Sequence, residues 1–275
     1  MKLIGFRQGR QTMIGVVFGN KVAPIAEAGA FYADIAANLA TARAAKAGTV
    51  ELSGIEERPA VPPSARVLCV GLNYHAHAAE GGGKVPDYPT IFGRWTASLV
   101  SNGTAVPCIH ETMDWEGELG VVIGKQATNV KKENALDYVL GYCNFNDITA
   151  RAFQRHTSQW TPGKNGDRSG PTGPIITADE TGDPAKGWRV QTRVNGKVMQ
   201  DNNTENMVFS VPVIIAYLTQ IMTLNPGDVI ASGTPEGVGY ARNPPAFMKP
   251  GDVVEVEIGK LGILRNPITT ADQRP

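Results

Sequence analysis

Two glutamates one residue apart, Glu116 and Glu118 in the run MDWEGELGVVIGK (113–125), are the best-placed residues in this sequence for chemistry. The apolar residues that follow read as a strand, in which side chains two apart share a face. Glu116 and Glu118 therefore project together with Asp114, while Trp115 and Gly117 turn away. Two carboxylates side by side repel, and a hard divalent cation that prefers oxygen ligands, such as Mg²⁺, relieves the repulsion. The nearest third ligand is Asp147 in GYCNFNDITARAFQ (141–154), at the end of a second strand. A helix beginning there would present Arg151 and Gln154 on one side. Upstream, His77 and Glu80 stand three apart in NYHAHAAEGGG (73–83), so one helical turn lets them touch, and Gly81 to Gly83 permit the segment to open and close. Each signal alone also fits something plainer, a solvated strand end for the glutamates and a surface loop for the histidines.

Many short strands and few helices must position these groups. Residues 1 to about 26 read as short strands with a turn at Gly19-Asn20, and AFYADIAANLATARAAKAG (30–48) reads as one amphipathic helix ending at its glycine. Pro59, Pro62 and Pro63 then interrupt regular structure, which predicts a small N-terminal domain over 1–65 and a larger one over 66–275. Within the larger part, RVLCVGL (66–72) predicts a buried strand and NALDYVL (134–140) a short helix. The segment 155–174 is too rich in Gly and Pro for regular structure before Ile175-Ile176-Thr177, and a loop of that length is usually functional or disordered. Asn195-Gly196 predicts a hairpin turn, and VPVIIAYLTQIMTL (211–224) a helix of about three turns. The fold class is mainly β with α/β elements.

Composition narrows the partners. Lys and Arg total 26, as do Asp and Glu, so no basic footprint for nucleic acid or an anionic membrane exists and a small-molecule partner is expected. The N-terminus has no apolar core of signal-peptide length and no stretch approaches a membrane span, which predicts a cytoplasmic protein. Cys69, Cys108 and Cys143 are an odd count without paired spacing, which argues for buried thiols rather than a disulfide framework or a zinc site.

Taken in order, GLNYHAHAAE, DWEGELGVVIGK, GYCNFNDITARAFQ, GKNGDRSGPTGP, TRVNGKVMQDNNTENMVFS and NPGDVIASGTPEGVG resemble the motifs of the fumarylacetoacetate hydrolase family over residues 66 to 267. The resemblance implies a catalytic domain built on a rolled mixed β-sheet beside the small N-terminal α+β domain. It implies Mg²⁺ or Mn²⁺, with Ca²⁺ able to stand in within crystals, held by Glu116, Glu118 and Asp147. It implies cleavage of a carbon–carbon bond in a diketo acid, an acylpyruvate or a fumarylacetoacetate-like compound, in the catabolism of aromatic or sugar acids. By the same resemblance His77 and Glu80 form a water-activating dyad on a closing lid, and Lys164 is the lysine of the Gly-Lys loop. Tyr74, Arg151, Gln154 and Thr234 then contact substrate, and the assembly is a homodimer. Two positions depart from the family pattern: Asn165 stands in place of a serine, which puts that serine's hydrogen bond in question, and His75 has no assigned role. Decarboxylation of an oxaloacetate-like acid, or tautomerisation of a 2-oxo acid, needs the same metal and enolate but no attacking water. A non-enzymatic binder would have no use for the His/Glu pair.

Overall fold

A computed structural model describes residues 1–82 and 84–274. Its spine is an eleven-stranded mixed sheet. From one edge the strands run Val50–Glu51, Lys21–Glu27, Gln11–Phe18, Lys2–Gln8, Ile175–Thr177, Val139–Asn146, Gly117–Ile123, Val229–Ala231, Val67–Gly71 and Thr90–Arg94, with Glu57–Arg58 pairing off Lys2–Gln8. The N-terminal hairpins therefore extend the sheet that carries the carboxylates, through Leu3 opposite Ile175. A five-stranded sheet lies beside it, ordered Lys197–Asn203, Arg189–Val194, Val253–Ile258, Ile263–Thr269 and Val106–Pro107.

The carboxylate strand Gly117–Ile123 is buried along its whole length, which explains the apolar run that follows Glu118. Alternate residues serve two cores. Leu119, Val121 and Ile123 join Val190, Val256 and Leu264 of the second sheet, while Val122 packs with Leu3, Ile14 and Phe31 of the N-terminal part.

Local chemistry redraws several predicted elements. The helix expected over 30–48 is two, Ala28–Ala33 and Ile35–Ala44. Asp34 breaks them apart because its Oδ1 accepts the Ala37 N–H at 3.1 Å and so caps the second helix. That helix stops at Ala44, short of Gly48. Residues 132–138 form a 3₁₀ helix, and Val211–Thr219 is a nine-residue helix. The Gly/Pro-rich segment is not wholly irregular, since it contains the helical turn Thr161–Lys164, with Pro162 in its first turn, and the short strand Gly170–Pro171. Among the described residues no helix is long and apolar enough to cross a membrane.

Candidate active site

Strand pairing brings the three predicted ligands together. Gly117 lies opposite Asn146, so the residues preceding and following that register point, Glu116 and Asp147, become neighbours. The Asp147 N–H donates to the Glu116 carbonyl at 2.9 Å, and the Glu116 N–H donates to Asn146 Oδ1 at 3.0 Å. Oxygens of Glu116, Glu118 and Asp147 all lie within 4.8 Å of one another, and all three residues are buried. Gly117 separates the glutamates for a steric reason. A Cβ built there would come 2.1 Å from Thr192 Oγ1, so only a residue without one lets the strand sit this close to the second sheet.

The electrostatics of the cluster fit a divalent cation. Four buried carboxylates, Asp114, Glu116, Glu118 and Asp147, face three buried cations, Arg94, Arg151 and Lys164. Lys164 Nζ donates to Glu116 Oε2 and to Asp147 Oδ2, each at 2.5 Å. Burial opposes the lysine's charge, yet Asp147 and Glu116 hold its pKa above the usual lysine value. Burial likewise opposes the charge on Glu116, and Arg151 and Lys164 overcome it, bringing its pKa down to about 2. Among the described residues Glu118 has only the Gly233 N–H, at 2.9 Å, and burial together with Asp147 and Glu116 pushes its pKa well above the ordinary range. A carboxylate under that pressure, converging with two others, is the all-oxygen donor set that a hard divalent ion takes.

Asp114 reaches the same guanidinium as Glu116 but does not join the trio. Its carboxylate accepts the N–H groups of Trp115 at 2.8 Å, Gly239 at 2.7 Å and Tyr240 at 3.0 Å, and Arg151 Nε at 2.8 Å. It is the anchor of Arg151 rather than a member of the trio. Arg151 also pairs with Glu116 Oε1 at 2.6 Å and donates to Gln154 Oε1 at 3.0 Å, and its buried Nη2 has no partner among the described residues. Arg151 and Gln154 thus share one side of the helix Arg151–Arg155, as predicted, and both line a cavity of about 160 Å³ over the carboxylates.

The other predicted residues divide. His77 lines the same cavity from the helix His75–Glu80, and its Nδ1 lies 2.9 Å from Glu80 Oε1. Glu80 is itself held by the Gly237 N–H at 2.9 Å. Gly83 of the expected hinge lies outside the described residues, and His75 is exposed on the helix's first turn. Thr234 reaches the cavity, but its hydroxyl donates to the Gly117 carbonyl at 3.0 Å and accepts from Gln200 at 2.7 Å. Tyr74 is fully buried in the core behind the site, its hydroxyl has no partner among the described residues, and it is not among the cavity's lining residues. Asn165 does more than replace a serine. Its Oδ1 accepts the Trp95 N–H at 2.7 Å and its Nδ2 donates to the Thr161 carbonyl at 3.0 Å, so it ties the Lys164 loop to the end of the strand Thr90–Arg94. Asp167, in the same loop, is exposed.

Sequence reading missed Arg94 and Asn73. Arg94 Nε and Nη2 both bind Asp147 Oδ1, at 2.8 and 2.6 Å, and the same guanidinium donates to Ser169 Oγ at 2.7 Å and the Ile148 carbonyl at 3.0 Å. A lone charge inside the apolar run TIFGRW was its one local signal. Asn73 fixes the root of the His77 helix, donating to the Phe209 and Ser232 carbonyls at 2.9 and 2.7 Å.

Residues 66–269 match the family described as fumarylacetoacetate (FAA) hydrolase C-terminal. A Bacillus subtilis protein named oxaloacetate tautomerase is 39% identical over 223 residues, covering 79% of this chain and 74% of its own. The fumarylacetoacetate hydrolase of Exiguobacterium antarcticum superposes with a TM-score of 0.77 at 32% identity, covering 98% of this chain and 99% of that one. A fumarylpyruvate hydrolase of Pseudomonas aeruginosa, solved with Mn²⁺ and pyruvate, gives a TM-score of 0.68 at 30% identity over 78% of this chain and 92% of that one.

Proposed function

Because this chain belongs to the fumarylacetoacetate hydrolase family, a family of enzymes, we propose that it is a Mg²⁺- or Mn²⁺-dependent hydrolase that cleaves a carbon–carbon bond in a diketo acid of the acylpyruvate type. Glu116, Glu118 and Asp147 would hold the ion. When bound, it supplies Lewis-acid polarisation of the 2-oxo group and charge stabilisation for the enolate released by cleavage. The chain's own residues do the rest. Arg151, with its free Nη2, and Gln154 orient the oxo acid at the cavity floor, and Lys164 supplies a fixed positive charge beside the developing enolate.

The observation that carries the hydrolytic reading is the His77–Glu80 contact at 2.9 Å. A carboxylate on Nδ1 accepts its proton and leaves Nε2 as the base that takes a proton from water, and the Gly237 N–H keeps that carboxylate in place. Water then adds to the distal carbonyl, the carbon–carbon bond breaks, and protonation of the enolate yields two acids.

A second reading, tautomerisation or decarboxylation of an oxaloacetate-like acid, is favoured by the name of the Bacillus subtilis relative. One experiment separates the two. With saturating Mg²⁺, acylpyruvate hydrolysis and oxaloacetate turnover are measured side by side on the wild type and on His77→Ala. Hydrolysis should fall about 10²-fold or more, while decarboxylation, which requires no activated water, largely persists. Hydrolysis at the wild-type rate in the variant would exclude His77 as the base. The homodimer belongs to the same proposal, and sedimentation of the pure protein tests it.

A further inference from the structure

The cavity wall holds a second arginine that the mechanism above does not use. Arg155 follows Gln154 at the end of the helix Arg151–Arg155, and it lines the cavity. Arg151 is paired with Asp114 and Glu116, whereas among the described residues no carboxylate lies within ion-pair distance of Arg155 and none of its nitrogens donates a hydrogen bond to protein. Its place is nonetheless fixed. The guanidinium carbon lies 4.5 Å from the centre of the Tyr240 ring, and Arg151 lies at the same distance from that ring. Tyr240 is in turn held by the bond from its N–H to Asp114. Two guanidinium groups gathered on one aromatic ring, only one of them neutralised by the protein, leave an uncompensated positive charge beside the cavity, at a site other than the metal-ligand trio.

We infer that Arg155 is a specificity residue that binds a second anionic group on the substrate, so that the site prefers 2-oxo acids carrying a distal carboxylate over their singly charged counterparts. The inference rests on the reading of the site as one for 2-oxo acids. Arg151 and Gln154 take the oxo-acid end over the carboxylates. Arg155, one residue further along the same short helix, takes the far end with a planar fork suited to a carboxylate. Tyr240 holds that fork ready, which lowers the ordering cost of binding.

Calorimetric titration with pyruvate, oxaloacetate and 2-oxoglutarate, in the presence of Mg²⁺, tests this on the wild type, Arg155→Met and Arg155→Lys. The wild type should bind at least one of the diacids tighter than pyruvate. Arg155→Met should weaken that diacid about five- to tenfold and pyruvate less than threefold, an exposed ion pair being worth a modest amount. Arg155→Lys should recover part of the preference. The salt dependence of diacid binding should be shallower in Arg155→Met than in the wild type, a change that a purely structural role would not produce. Equal losses for pyruvate and diacid, or a preference untouched by Arg155→Met, would overturn the assignment, as would a wild type that binds pyruvate and shows no preference. A wild type that binds none of the three acids would overturn the 2-oxo acid reading itself and this inference with it.

Discussion

Two of the charge clusters among the described residues stand in opposite settings. In the site, Arg94, Arg151 and Lys164 meet Asp114, Glu116 and Asp147 at 2.5 to 2.8 Å, with all six side chains essentially sealed from water. On the five-stranded sheet, Arg193 meets Glu255 at 3.0 Å and Glu257 at 2.8 Å, and Arg265 meets Glu255 at 3.4 Å. That ladder follows the sheet register, since Arg193 and Arg265 both stand opposite Glu255 on neighbouring strands. The Arg265 side chain remains 58% exposed, while Arg94 and Asp147 are at 0%. The site pairs are the shorter ones, the two ranges meeting at 2.8 Å, and the larger difference is burial. Sealed charges cannot fall back on water, so each depends on its partner and the whole set holds a fixed electrostatic field. Charges on the ladder are solvated either way, and their pairing marks strand register.

The contrast breaks most visibly at Arg94. Arg94→Ala leaves Asp147 Oδ1 buried without its two donors and strips hydrogen bonds from Ser169 Oγ and the Ile148 carbonyl. Removing one partner of a buried pair typically costs about 3–5 kcal/mol. Urea unfolding in EDTA, which isolates the protein's own charges, should show a loss of that order. A loss below about 1 kcal/mol would mean that the sealed cluster behaves like a surface one. Arg94→Lys restores the charge without the two-nitrogen grip on Oδ1, and its midpoint should fall between those of the wild type and Arg94→Ala.

Lys164 sharpens the same contrast on the catalytic side. Lys164→Met removes the cation that bonds both Glu116 and Asp147 while keeping a side chain of similar length. Loss of a preorganised group of this kind lowers kcat about 10²- to 10³-fold. Mg²⁺ affinity, measured by calorimetry on the same variant, should change much less, because the three carboxylates remain. An unchanged kcat on the best substrate would remove Lys164 from the chemistry and leave it a counter-ion only.

How much of this was legible depended on how far apart in the chain the partners lie. Glu116 and Glu118 stand two apart at the start of one strand and His77 and Glu80 share a helical turn, so spacing alone predicted their meeting. Asp147 could be placed because a strand visibly ends there, although its approach to Glu116 depends on a register that no local pattern states. Arg94 lies 53 residues from Asp147, and nothing near it announces the partner. Asp114 had the right face but no readable role, because its partners, the Gly239 and Tyr240 N–H groups, lie more than a hundred residues later. The same limit governed the elements. Continuous apolar runs and hairpin turns were readable, whereas the break at Asp34 and the helical turn at Thr161–Lys164 were set by a single cap and by packing. Gly163 shows the packing part. A Cβ there would come 2.5 Å from the Gln154 backbone nitrogen, so this glycine lets the Lys164 turn lie against the helix that carries Arg151.

The smallest effect is expected on the ladder, and it tests the comparison from the other side. A double-mutant cycle on Arg193→Ala and Glu255→Ala, read by urea unfolding, isolates the coupling between two side chains that are 16% and 22% exposed. Pairs that keep access to water contribute about 0.2–1 kcal/mol, because water solvates either partner once the other is gone and because two long side chains lose freedom in holding one geometry. Salt then discriminates. Raising ionic strength to about 1 M shortens the screening length to about 3 Å, so the ladder coupling should shrink, while the cost of Arg94→Ala, where no ion can enter, should hold nearly constant. A ladder coupling above about 2 kcal/mol that survives high salt would show that strand register, rather than exclusion of water, sets the strength of an ion pair in this fold.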